Sequence, residues 1–140
     1  MKIWCQHGSE HSANLVMIGH FMEVTDATKT KEIIDKLTER VRKDGSVSRS
    51  PSHGYSNSML DLLTELHVAS IAPQELEQFL YDVCVEVEGS NVVVTTEEID
   101  VSAFLKVMVA RGARVEVYSA HHYPNSQYVG GVERGDQCRR

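Results

Sequence analysis

Cysteine, proline and tryptophan are scarce in this chain, at three, three and one in 140 residues. Cys5, Cys84 and Cys138 are odd in number and form no CxxC or CxxH spacing, so neither a disulfide framework nor a zinc ribbon is indicated, and free thiols are expected. No apolar run approaches the length of a bilayer span, and MKIWCQHGSEHS turns polar too early to be a signal peptide. A cytoplasmic protein with no membrane partner is expected. Excess positive charge is missing too: the net charge of −6 argues against a phosphate-backbone binder, so nucleic acid is not an expected partner. Arg40, Arg42 and Lys43 read as complementing a helix end, and Arg139 and Arg140 as a solvated tail. The catalytic signatures are likewise absent. There is no GxSxG elbow or Cys-His signature, the glycines of YVGGVERG make neither GxGxxG nor a P-loop, and HxxxH at His7 and His11 lacks the glutamate placement of HExxH.

What is present is the composition of an ordinary globular domain, 41% hydrophobic and 24% charged. Residues 1–122 are expected to form a single α+β domain, with a mobile serine-rich loop at about 45–58 and a loosely held tail at 123–140. NLVMIGHFM, residues 14–22, is a short apolar run suited to a strand covered on both faces. After a cap at Thr25 or Asp26, the residues Ala27, Thr30, Ile34, Leu37 and Val41 recur at helical spacing up to a Gly45 stop. A short helix follows in MLDLLTELHVA, and a second begins with Pro73 at its first position and runs to about Asp82, with Ile71 able to staple against Leu76. Val83, Val85 and Val87 alternate with Cys84, Glu86 and Glu88. With Gly89-Ser90-Asn91 as the turn and Val92 to Glu97 returning, they make the strongest hairpin signal in the chain. A helix capped by Asp100 or Ser102 and stopped at Gly112 leads into a last alternating strand from Ala113 to Ala120.

This order is that of a ferredoxin-like split βαβ sandwich with two helices inserted between the first helix and the second strand. In that topology the first strand is central, between the third and the last. MKIWCQ is available as an additional strand. Alternation places Val16, Ile18, His20 and Met22 on one face of the central strand and Leu15, Met17, Gly19 and Phe21 on the other. Whichever set faces away from the helices forms an apolar stripe that something must cover: the inserted helices, the N-terminal segment, or the same face of a second copy in a twofold dimer.

The same topology brings the exit of the last strand beside the entrance of the first, gathering His121 and His122 with Glu10 and His11. Two or three imidazoles with a carboxylate suffice for Zn²⁺ or another divalent transition metal. His11, His121, His122 and Glu10 are therefore the candidate ligands, with His7 and Tyr123 as supporting or acid-base groups. Acid-base chemistry without a metal is open to the same set. His20, at the far end of the strand, reads as a rim histidine satisfied by hydrogen bonds, and His53 and His67 have no evident partner. The expectation is thus a homodimeric protein that binds a small ligand or a protein partner, with a metal-binding protein or metal-dependent enzyme as the alternative. An adaptor whose 45–58 loop orders on a partner is a third possibility.

Overall fold

The computed structural model describes residues 15–44, 54–98 and 100–119. It shows a four-stranded antiparallel sheet with helices packed on one face. The elements in chain order are β1 (Leu15–His20), α1 (Val24–Asp44), α2 (Asn57–Glu65), a 3₁₀ helix (Pro73–Leu80), β2 (Val83–Glu88), β3 (Asn91–Thr96), α3 (Ser102–Ala110) and β4 (Arg114–Ser119). The sheet order is β2-β3-β1-β4, so β1 lies between β3 and β4 as the first strand was expected to, and β2 is an edge. The expected strand in MKIWCQ, the mobility of 45–53 and the tail at 123–140 fall outside the described residues.

Register assigns every strand residue to a face. Leu15, Met17, Val92 and Val94 are buried against α1 and α3, and Val83, Val85, Val87, Val115 and Val117 pack against the same core. From α1 come Ala27, Thr30, Ile33, Ile34, Leu37 and Val41, a stripe three and four residues apart. Thr30 is tolerated there because its hydroxyl donates to the Asp26 carbonyl at 2.7 Å. Gly19 allows a close approach: a Cβ at this position would lie 2.7 Å from the sulfur of Met108 on α3, so that side chain would have to shift to admit one.

Several boundaries differ from expectation. α1 starts at Val24, ahead of the expected cap at Thr25 or Asp26, with the Glu23 carbonyl accepting from the Asp26 and Ala27 amides. α2 reaches back into the serine-rich stretch, because the Ser56 side chain accepts from the Met59 amide and caps it. Its C-terminus closes in a Schellman motif, with His67 in the left-handed region at φ 57° and the Val68 amide donating to the Leu63 carbonyl. α3 ends the same way, on Gly112 at φ 89°, with the Ala113 amide on the Met108 carbonyl. The hairpin turn is the two residues Gly89-Ser90; Asn91 already pairs with Glu88, and Gly89 supplies the positive φ.

The expected helix from Pro73 is a 3₁₀ helix ending at Leu80. Its side chains are committed to α3 instead of to a longer helical run. Gln78, 1% exposed, accepts from the Ala103 amide at 2.7 Å and donates to Asp100 Oδ1 at 2.7 Å. It thereby performs the capping expected of Asp100 or Ser102. Ser102 donates to Glu75 Oε1 at 2.7 Å, and Glu75 Oε2 accepts from Lys106 Nζ at 2.6 Å and from the Ala72 amide at 2.7 Å. Phe79 and Phe104 stack beneath this network with ring centroids 5.1 Å apart, a tilted contact worth about 0.5–1.5 kcal/mol beyond area burial.

Burial raises the proton affinity of Glu75, but the hydrogen bonds from Lys106, Ala72 and Ser102 and the Lys106 charge outweigh it, and the carboxyl titrates below its ordinary value. A carboxylate depressed in the folded state contributes stability that is present at neutral pH and lost as pH falls through its folded value. Glu75→Gln is therefore expected to destabilise the fold at neutral pH and to weaken the acid dependence of stability. Urea titrations from neutral to acid pH check this; equal slopes for the two proteins would refute it.

Candidate functional site

The face of the sheet turned away from the helices is a grid of three rows, read across β2, β3, β1 and β4. The rows are Cys84-Thr95-Val16-Tyr118, Glu86-Val93-Ile18-Glu116 and Glu88-Asn91-His20-Arg114. No described helix residue joins the apolar cluster of Val16, Ile18 and Val93, against which Tyr118 packs. The stripe is nevertheless covered in the folded chain, for the three are 2%, 6% and 2% exposed. The expectation of free thiols is corrected on the same face: Cys84 is disulfide-bonded. Cys5 and Cys138, the other two cysteines, lie outside the described residues, and no short spacing signals such a bond in the sequence.

At the Gly89-Ser90 end of this face, four side chains from three strands form one network. His20 Nδ1 lies 2.9 Å from Asn91 Oδ1, and His20 Nε2 lies 3.1 Å from Glu116 Oε2. The same carboxylate oxygen accepts from the Tyr118 hydroxyl at 2.7 Å. Alternation puts His20, Glu116 and Tyr118 on one face. Antiparallel register then sets His20 opposite Arg114 and diagonal to Glu116, within reach of a long side chain. The Phe21 amide donates to the Ser90 carbonyl at 2.9 Å, tying the end of β1 to the β2–β3 turn from which Asn91 emerges.

The electrostatics follow from these contacts. Hydrogen bonds from Tyr118 and His20 hold the Glu116 carboxyl below the ordinary carboxylate range, and the His20 and Arg114 charges act in the same direction. Glu116 is thus an anion at neutral pH, with Oε2 occupied and Oε1 making no hydrogen bond among the described residues. The His20 and Glu116 side chains are 41% and 52% exposed, so the corner is open to a ligand. An anion of lowered proton affinity is a weak general base, and His20 has both nitrogens engaged.

His20 was expected as a satisfied rim histidine, and the structure confirms its hydrogen bonding while adding the company of Glu116 and Tyr118. The parity of the residues was legible in the sequence; the register that joins them was not. The candidate ligands Glu10, His11, His121 and His122, with His7 and Tyr123, lie outside the described residues, as does His53. His67 sits exposed at the end of α2. Among the described residues, no three His, Cys, Asp or Glu side chains form a set able to hold a metal ion. A separate groove of about 1130 Å³ runs between α1, the 3₁₀ helix and β2, lined by Lys31, Asp35, Arg42, Phe79, Tyr81 and Val83 among others. Its charges are mixed, and Lys31 is already paired with Asp35 at 2.7 Å.

A model of a family of unknown function, DUF6375, matches residues 1–129. The chain belongs to DUF6375. No curated protein and no solved structure matches it. Among the described residues of this DUF6375 member, no helix is long and apolar enough to cross a membrane.

Because Tyr118 is the first of the donors holding the Glu116 carboxyl down, Tyr118→Phe is expected to raise its titration toward the ordinary range. NMR detection of the side-chain carboxyl carbon across acid pH reads this, and an unmoved titration would mean that the Tyr118 hydrogen bond does not form in solution.

Proposed function

We propose that this DUF6375 protein is a ferredoxin-like binding domain and that the corner formed by Asn91, His20, Arg114, Glu116 and Tyr118 recognises a small ligand. The observation that carries the reading is the shared oxygen of the half-exposed Glu116, held by His20 and Tyr118 while the other carboxylate oxygen makes no hydrogen bond among the described residues. The strand order supports the ferredoxin-like class, since the sequence β1, α1, β2, β3, α3, β4 with β1 between β3 and β4 is the split βαβ pattern. A homodimer through the same face was expected from its apolar stripe. Val16, Ile18 and Val93 are already buried in a single chain, so the binding reading rests on the polar corner and does not require a second copy.

A chemical-shift map of the isotope-labelled full chain against a library of small carboxylates and amines tests this. Shifts are expected to gather on residues 20, 91, 114, 116 and 118 and to disappear in Glu116→Ala. Shifts gathered in the α1–β2 groove would relocate the site and overturn the reading.

A metal-binding function is the second reading. What supports it is the pairing of Leu15 with Ser119, which lets the segments carrying Glu10 and His11 and those carrying His121 and His122 leave the sheet at one end. Elemental analysis of untagged protein purified without chelators is expected to find near-stoichiometric zinc or a similar divalent ion, lost in the His11→Ala, His121→Ala double variant. Metal-free protein that takes up no added zinc would end this reading.

A further inference from the structure

We infer that the Asn91 side-chain amide is the specificity-determining group of this corner, presenting a hydrogen-bond donor to the ligand when His20 is charged and an acceptor when His20 is neutral. The inference rests on the binding reading and adds the ligand's chemical class. It follows from counting donors and acceptors. An ionised carboxylate only accepts, so the contact between His20 Nε2 and Glu116 Oε2 keeps a proton on Nε2 in both charge states. The other ring nitrogen faces Asn91 Oδ1, also an acceptor, at 2.9 Å. With Oδ1 toward the ring, both contacts are hydrogen bonds only when both ring nitrogens carry protons.

When Nδ1 gives its proton to solvent, its lone pair is left facing the amide oxygen. A half-turn of the amide about the Cβ–Cγ bond relieves this, bringing Nδ2–H to the ring and turning Oδ1 outward. No covalent bond changes other than the N–H that releases the proton. Both end states satisfy every ring nitrogen, so two discrete arrangements exist and the charge on His20 selects between them.

The groups around His20 set the balance. From β4, Glu116 favours the charged ring and Arg114 opposes it, while Tyr118 donates to Glu116. From β2, Glu88 lies in the same row beyond Asn91 and favours the charged form. From β3 the neighbour is the neutral amide itself, and from β1 it is Ile18. With His20 charged, both ring N–H groups are used inside the network, and what the corner gains over the Arg114 guanidinium and Glu116 Oε1 present in either state is the imidazolium charge and the Asn91 NH₂, a change toward a carboxylate. With His20 neutral, that charge is gone and the Asn91 carbonyl stands beside the unchanged Glu116 Oε1, a change toward an amine. Preference should therefore pass from carboxylate to amine as His20 gives up its charge.

Nitrogen-detected NMR of the free full chain from acid to alkaline pH is the test. Below the transition both His20 ring nitrogens are expected to be protonated, and above it Nε2 alone. The Asn91 side-chain amide signals should move with the same midpoint. Asn91→Asp, which cannot turn a donor inward, is expected to keep His20 charged to higher pH. A neutral His20 carrying its proton on Nδ1, or Asn91 amide signals indifferent to the His20 titration, would overturn the proposal. Because these signals are read without ligand, that result would leave the binding reading standing; an intact switch with no ligand shifts at the corner would fail the binding reading alone.

Discussion

Everything in this sheet depends on β1 being buried on both faces and hydrogen-bonded along both edges. Leu15 and Met17 meet the helices, Val16 and Ile18 the opposite cluster, and β3 and β4 take up the backbone groups on either side. A slip of one residue against either neighbour would exchange the two sets and set Gly19 and His20 in each other's place. That exchange is opposed sterically as well as by hydropathy. A Cβ at position 19 would lie 2.7 Å from the Met108 sulfur and displace it, while the open face supplies the partners of an imidazole. The glycine thus favours the register that the polar corner needs.

The long insertion between α1 and β2 is held by a different kind of contact. Gln78 is buried and amidic, and it spends its oxygen on the first turn of α3 and its nitrogen on Asp100 and Ser102. An unpaired buried donor costs about 1–3 kcal/mol, so the value of this residue lies in leaving none at the α3 N-terminus. Glu75 extends the connection to Lys106, whose ammonium also reaches the Ser70 carbonyl. Segments distant in sequence are joined by side chains that also finish each other's helix ends. The local sequence around Pro73 promised an ordinary helix, and these tertiary commitments are what a local reading leaves out.

How much could be read from the residues follows from the range of the interaction involved. The α1 stripe, the β2 and β4 alternation and the place of β1 were legible because each expresses a short period against one core. The start of α2 at Asn57 was hidden in serine-rich sequence, where Ser56 acts as a cap through a single hydrogen bond. The corner was half visible: Glu116 and Tyr118 were on the correct face and His20 on the correct strand. Joining them required a register in which residues 18 and 116 pair, and nothing local specifies that number. The histidines that attracted attention as metal ligands did so by count and proximity to strand ends, while His20, a single histidine in an apolar run, turned out to have a partner on each ring nitrogen.

The chemistry of the corner follows from where its protons are held. A histidine prepared for general-base catalysis has one nitrogen anchored by a carboxylate and the other free toward the substrate. Here the second nitrogen faces the Asn91 amide at 2.9 Å. A carboxylate prepared to accept a proton is raised in pKa by burial, whereas Glu116 is exposed and lowered by its donors. Both departures have the same consequence: proton affinity is spent inside the network and hydrogen-bonding capacity is left at its rim. A surface built in this way suits the recognition proposed for it better than proton transfer.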